Sequence, residues 1–185
     1  FNSYSLISNL IIISSLFLII SSFFDFFSRS HVNVPRIISH LSFGFLILFI
    51  GLNHNFSIEK EFNLKLGETK KIDNFNFVLQ DLKLIQQNNY KAIIGKLKVN
   101  NLLTKEEKIL SPQIRIYSNP QTLTYEASIK TNFFKDYYLT MSNIDRSDYY
   151  NIKFQEKPLM IWIWISVAML SLGGILSLFR NAKHN

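Results

Sequence analysis

Three long apolar runs alternate with polar stretches along the chain. The first run covers residues 4–27 and holds no charged residue before Asp25. The second, 37–52, is shorter. Arg36 at its start can complete the span, because its apolar stem can lie in the membrane while its charged group reaches the water. The third covers 158–180. Because a helix needs about 20 apolar residues to cross the hydrocarbon core, the pattern predicts three transmembrane helices.

The polar segment between the second and third runs, residues 53–157, has a different period. Phe75, Phe77 and Leu79 alternate with polar residues, and Ile114 and Ile116 bracket Arg115. Period-two patterning with aromatic and β-branched residues is typical of half-buried strands. We therefore predict a membrane α-helical plus all-β protein, with a small β-sandwich or barrel-like domain between helices two and three.

The basic residues outside this domain predict the topology. Arg29 and Arg36 lie between spans one and two, and Arg180 and Lys183 follow span three. The positive-inside rule places both sets in the cytoplasm or matrix, with the 181–185 tail, and the β domain on the other side. That domain mixes 16 Lys and Arg with 12 Asp and Glu. Mixed signs do not form the basic face that nucleic-acid binding requires.

The candidate chemistry of the chain is sparse. It has no cysteine, which excludes disulfides, Cys-ligated zinc and thiol nucleophiles within it. Zinc-protease, phosphate-loop and nucleophile-elbow motifs are absent, so a self-contained hydrolase or NTPase is not expected. The chain begins with Phe1 rather than Met, and we expect a piece of a longer protein.

His40 is the most informative residue, because an ionisable side chain inside a membrane helix is costly and marks function. Neutral imidazole is a good ligand for haem iron. Helical spacing puts Gly44, Ile47 and Gly51 on its face, and the two glycines leave room for a flat macrocycle or for a close helix neighbour. A histidine bonded to a neighbouring helix is the alternative.

Other residues carry weaker signals. His31, His54 and His184 lie outside the apolar runs and are expected to be solvated or interfacial. Gly173 and Gly174 in span three favour close helix packing. Six polar residues of the β domain form either a partner-binding surface or ordinary edge and turn positions. These residues are Arg115, Tyr117, Tyr125, Lys130, Asp136 and Tyr137.

Three stretches together resemble the C-terminal region of CcmF-type cytochrome c haem lyases. The first, SHLSFGFLILFIGL at 39–52, is similar to the family's His-Leu-Gly membrane helix, with Ser42 in place of Gly. The second, at 111–143, contains Pro-x-x-Arg-x-Tyr, Glu-Ala-x-Ile and Asp-x-Tyr in the family's order. The third, at 157–180, contains Lys-Pro-Leu, Trp-x-Trp and Gly-Gly.

The resemblance implies a function and a set of partners. Such proteins attach haem to apocytochrome c and hold a haem b between their helices, and His40 matches an axial ligand of that haem. The implied partners are apocytochrome c, a haem carrier, other maturation-complex subunits and a missing N-terminal part. The implied location is the bacterial inner membrane or, alternatively, the mitochondrial one. The family's Trp-rich haem-handling segment and second haem histidine are absent, so we expect a piece that is not active alone.

Two rival hypotheses remain. In the first, the chain is a non-catalytic membrane scaffold whose β domain binds a partner protein. In the second, it is part of a channel or transporter, although one ionisable residue deep in three spans offers little for a substrate path.

Overall fold

The computed structural model describes residues 3–28, 33–145 and 147–182. Arg29, His31, Lys183 and His184, on which sequence-based expectations fell, lie outside the described residues. The chain divides into two compact units, which we describe separately. One holds the helices and residues 132–135, and the other holds 58–131 and 136–156.

The helical unit contains α1 (Ser3–Ser28), α2 (Val34–Phe56) and α3 (Met160–Ala182). Each includes a segment long and apolar enough to cross a membrane, namely Ser8–Phe27, Val34–Phe56 and Met160–Phe179. Helix α2 is longer than the expected 37–52 because its ends are capped by polar groups. The Asn33 side chain accepts a hydrogen bond from the Arg36 amide, and Pro35 occupies the first turn, where a missing N–H costs nothing.

Small residues recur every seven positions where the helices pack. Ser8, Ser15 and Ser22 of α1 are buried, and so are Gly44 and Gly51 of α2. Helix α3 buries Ser166 and Gly173 at the same spacing. Small side chains let helix backbones approach closely, which drives association in lipid, where the hydrophobic effect does not act between helices.

Several serine hydroxyls within these apolar helices are satisfied by a carbonyl of their own helix, whereas Ser8 Oγ donates to Asn55 Oδ1 of α2 at 2.6 Å. Ser14 Oγ donates to the Leu10 carbonyl at 2.8 Å, and Ser22 Oγ donates to the Leu18 carbonyl at 2.8 Å. Ser166 Oγ does the same with the Trp162 carbonyl at 2.8 Å. Internal hydrogen bonds of this kind let a hydroxyl lie in an apolar environment without an unpaired donor.

The second unit is a β-sandwich of two antiparallel sheets. The strands are β1 (Ile58–Lys65), β2 (Thr69–Ile72), β3 (Phe75–Gln86), β4 (Tyr90–Asn101), β5 (Glu107–Leu110), β6 (Gln113–Ser118), β7 (Gln121–Glu126), β8 (Ser128–Thr131), β9 (Lys135–Asn143) and β10 (Tyr149–Pro158). One sheet has the order β1-β10-β9-β8, and the other has β2-β3-β4-β6-β7, with β5 paired to β4. The predicted fold class, helices flanking a β-sandwich, is confirmed.

Alternating apolar residues from both sheets form the core of the sandwich. Phe77 and Phe154 are fully buried, with ring centroids 5.1 Å apart at 68°. Phe62 packs on Phe77 at 4.7 Å. Buried residues occupy every second position in part of each of these three strands, so the period read from the sequence matches the observed burial.

Candidate functional site

His40 lies in the first half of α2, on a part of the helix surface that the other described residues leave exposed. The helix start is fixed by the Asn33 cap and by an ion pair between Arg36 Nη2 and Asp25 Oδ2 of α1 at 3.3 Å. At 1.5 Å per residue, His40 is about 6 Å further along the axis than Arg36. The imidazole is therefore close to the charged end of the span but inside its apolar length.

The chemistry of an exposed imidazole in a membrane span suits iron ligation. A polar ring facing hydrocarbon is costly unless it finds a partner, and neutral imidazole is a common axial ligand of haem. Among the described residues, no group of three His, Asp or Glu side chains is placed to hold a metal ion. An ion bound at His40 would thus take its remaining ligands from a macrocycle or from outside the described residues. Haem meets this requirement, because its own macrocycle supplies most of the iron ligands.

Gly44 and Gly51 do not line a space beside His40. A Cβ on Gly44 would lie 2.7 Å from Ile19 Cγ1, and one on Gly51 would lie 3.1 Å from Ile12 Cγ1. Both glycines therefore pack against α1. Of the two uses open to them, room for a macrocycle or room for a helix neighbour, the described residues show the second.

Helix α3 contacts α2 at the residue before His40. A Cβ on Gly173 would collide with Ser39 Oγ and would lie 3.0 Å from the Ser39 backbone nitrogen. A Cβ on Gly174 would have no atom of the described residues within 4 Å, so this side of the helix faces open space. Close packing is confirmed for Gly173 only, and this contact fixes the α2 backbone next to the imidazole.

The predicted polar cluster of the β domain is divided between surfaces. Arg115 pairs in register with Thr124, whereas Tyr125 pairs with the core residue Ile114. Paired residues share a face and successive residues alternate, so Arg115 and Tyr117 lie on the outer face of their sheet and Tyr125 on the opposite one. Lys130 is exposed on β8, in the other sheet.

Arg115 is held in an aromatic setting on the outer face of the six-stranded sheet. Its guanidinium carbon lies 5.0 Å from the Tyr90 ring centroid, and the Tyr90 and Tyr117 rings are 5.4 Å apart. Arg115 Nε donates to Gln113 Oε1 at 2.9 Å. The hydrogen bond with Tyr117 is the main cause that raises the pKa of Arg115 above its usual value.

Asp136 and Tyr137 are buried, which corrects the expectation that they line a polar surface. They are 6% and 2% exposed, because β9 is an interior strand between β10 and β8. Tyr137 Oη donates to Glu106 Oε2 at 3.4 Å, and Lys108 Nζ lies 3.8 Å above its ring. Burial, followed by the nearby Glu156 and Glu106 carboxylates, raises the pKa of Tyr137 well above its usual value.

Tyr90 and Gln113 complete the Arg115 surface, and sequence analysis did not select them. The available signal was the strand register. Tyr90 opens a strand that pairs with β6 at Tyr117, but that pairing is long-range and cannot be read from local periodicity. Gln113 shares the face of Arg115 because it is two residues away on the same strand.

Comparisons with known proteins identify one matching family and several similar proteins. A family model described as the CcmF C-terminal beta-sandwich matches residues 55–158. The chain is 26% identical over 141 residues to "Cytochrome c-type biogenesis protein CcmF" of Escherichia coli (strain K12), covering 76% of this chain and 22% of the relative. It is 25% identical over 177 residues to "Probable cytochrome c-type biogenesis protein NrfE" of the same organism, covering 92% and 31%.

A solved structure shares the fold. The structure of "Cytochrome c Heme Lyase CcmF" aligns with a TM-score of 0.61 at 18% identity, over 77% of this chain and 24% of the other. The chain spans about a fifth of the length of the curated CcmF protein of Escherichia coli. The likeness thus covers most of this chain and a minor part of those longer proteins.

Proposed function

The chain belongs to the CcmF C-terminal β-sandwich family, and on that premise we propose that it is the C-terminal part of a cytochrome c haem lyase. It takes part in cytochrome c maturation and helps to attach haem to apocytochrome c. The support is the family match over the whole β domain, together with relatives named for cytochrome c biogenesis.

His40 is, in this proposal, one axial ligand of a haem b held among the membrane helices. The observation that carries it is the exposed imidazole within the apolar length of α2. The haem supplies the iron chemistry when bound, and His40 supplies a neutral nitrogen at a fixed position. Gly44 and Gly51 act indirectly, because they seat α2 against α1 and so set the direction in which His40 projects.

The β domain, in turn, contacts maturation partners through the outer face that carries Arg115 and Tyr117. Arg and Tyr are enriched at contact surfaces, and the half-buried Arg115 lies against the Tyr90 ring. Tyr125 is 46% exposed on the opposite face of the same sheet, so a partner contact there would be separate from the Arg115 surface. Asp136 and Tyr137 are buried in the other sheet, so they support the fold and not this contact surface.

The proposed location follows from charge. The positive-inside rule, applied to Arg36 and to the basic residues that flank the spans, places the β domain on the periplasmic or intermembrane-space side of an inner membrane. A haem carrier and apocytochrome c would meet the domain there.

The experiment measures haem in the assembled lyase. The chain is co-expressed with the remainder of the lyase, the assembly is purified, and haem b is quantified by its reduced absorption spectrum. We expect His40→Ala to lose most of the haem b signal, and His54→Ala, a histidine at the other end of α2, to keep it. Imidazole added to His40→Gly should restore the spectrum, which a purely structural role would not produce.

The scaffold alternative predicts a different result. If the helices only anchor a binding domain, His40→Ala leaves haem content and spectrum unchanged. In the same preparations, Arg115→Ala should lower the amount of co-purified partner proteins under either proposal. Unchanged haem with reduced partner recovery would therefore favour the scaffold over the haem-site proposal.

A further inference from the structure

The turn at residues 132–135 is attached to the start of α3. The Leu159 amide donates to the Phe134 carbonyl at 2.7 Å, and Trp162 Nε1 donates to the Phe133 carbonyl at 3.1 Å. The Phe133 and Trp162 rings meet edge to face, with centroids 4.8 Å apart. Two hydrogen bonds and a ring contact thus fix this turn beside the first turn of a membrane span.

The turn lies at the end of the helical unit where α2 ends and α3 begins. Helix α3 begins at Met160, and α2 ends in the polar run Asn53, His54 and Asn55. Asn53 Nδ2 donates to the Pro158 carbonyl at 2.5 Å, so these two span ends are level with each other. Trp162 is the interfacial type of residue that marks the headgroup region.

The side chains of the turn are apolar where a surface turn is usually polar. Phe133 is 52% exposed and Phe134 is 66% exposed. Phe56, the last residue of α2, is also 66% exposed at this end of the helical unit. Large aromatic surfaces of this kind are costly in water, and they suit the boundary between headgroups and acyl chains.

Several backbone polar groups of the turn form hydrogen bonds within the protein, as an environment with little water requires. Asn132 Oδ1 accepts hydrogen bonds from the Phe134 amide at 2.9 Å and from the Lys135 amide at 2.8 Å. The Asn132 amide donates to the Lys135 carbonyl at 3.1 Å. Both backbone polar groups of Phe134 are therefore paired within the protein, which removes the main penalty for placing a turn against lipid.

We propose that the Phe133–Phe134 turn is a membrane-interface anchor, whose partner is the headgroup and upper acyl region of the lipid bilayer. Phe134 inserts its ring into lipid, and Phe133 packs on Trp162 at the same level. Lipid is the partner that fits this surface, because the turn lies directly beside the α3 span. The Phe134 carbonyl is hydrogen-bonded to the Leu159 amide, one residue before that span begins.

The test uses the absence of cysteine from the chain. Phe134→Cys, labelled with an environment-sensitive fluorophore, is reconstituted in liposomes and exposed to lipids with a nitroxide near the headgroup or to aqueous iodide. Leu103→Cys, at a 73% exposed site of the β domain, is the matched control. We expect at least about a three-fold stronger lipid quenching at position 134 than at 103, with the order reversed for iodide.

Two results of the quenching experiment would overturn the proposal. Iodide quenching at position 134 as strong as at 103 would mean that the turn lies in water. Protection from both quenchers would mean that protein covers it. The unmodified chain gives a second measurement that does not depend on the folding of a variant: lipids with a photoreactive headgroup should cross-link within 132–135, and the absence of such cross-links would also refute the anchor.

Discussion

The contact between Gly173 of α3 and Ser39 of α2 predicts a large difference between two neighbouring glycine substitutions. Gly173→Ala adds a methyl group where Ser39 backbone atoms lie 3.0 and 3.2 Å away. Gly174→Ala adds the same group where no atom of the described residues lies within 4 Å. The two variants have equal composition and equal helix propensity, so packing alone distinguishes them.

The magnitude follows from the distances. Carbon atoms in contact sit about 3.5–4.0 Å apart, so the helices must separate by roughly half an ångström at Ser39 to admit the methyl group. A rotation of the Ser39 hydroxyl relieves its own collision but leaves the two backbone contacts. Overpacking of this kind costs about 1–3 kcal/mol, whereas Gly174→Ala should be neutral or gain up to about 1 kcal/mol from helix propensity.

The assay is reversible unfolding of the chain in mild detergent, followed by helical circular dichroism against a denaturing detergent. Gly173→Ala should unfold at a lower denaturant fraction than the parent and Gly174→Ala. The double variant Ser39→Ala/Gly173→Ala should recover little stability, because the backbone contacts persist. Equal stability of the two alanine variants would refute the close α2–α3 contact, and full recovery in the double variant would place the clash in the hydroxyl alone.

Two further predictions concern the β domain. Phe154→Ala removes a fully buried ring and should lower the free energy of unfolding by about 3–5 kcal/mol; Leu84→Ala, at an 83% exposed site, should change it by less than about 0.5 kcal/mol in the same chemical denaturation experiment. Tyr137 retains its proton in the folded state above pH 10, where an unfolded tyrosine ionises, so its contribution to stability is complete below pH 10 and declines as the pH rises. The stability difference between the parent and Tyr137→Phe should therefore shrink above pH 10, and a constant difference would contradict the raised pKa.

Local pattern was sufficient to predict the architecture. The apolar runs identified all three helices, and the alternation of Phe75, Phe77 and Leu79 identified a core strand. The ends of the helices were harder to predict from the sequence, because they depend on capping. Helix α2 continues to Phe56 because Ser57 closes it, with the Ser57 amide and hydroxyl both donating to the Asn53 carbonyl.

Placement across the two sheets was not accessible from sequence. Asp136 and Tyr137 look like surface residues in a polar stretch, yet β9 pairs with both β8 and β10 and both residues are buried. Tyr138 Oη donates to Asp136 Oδ2 at 3.2 Å, which gives the buried carboxylate a partner. A single sequence carries no sign of which strand lies inside a sheet, because that is decided by pairings between distant segments.

The arrangement around His40 shows the same limit at the scale of one helix. Helical spacing puts His40, Gly44 and Gly51 on one broad face, but the buried positions Ile37, Gly44 and Gly51 recur every seven residues, and both glycines contact α1. Seven residues return almost to the same angle, whereas His40 lies about 40° to one side of that line. A signal for this seam existed in the seven-residue recurrence of Ser8, Ser15 and Ser22 on α1. Because both glycines pack against α1 and His40 lies to one side of their line, the helix pair leaves the imidazole exposed rather than enclosed between the two helices.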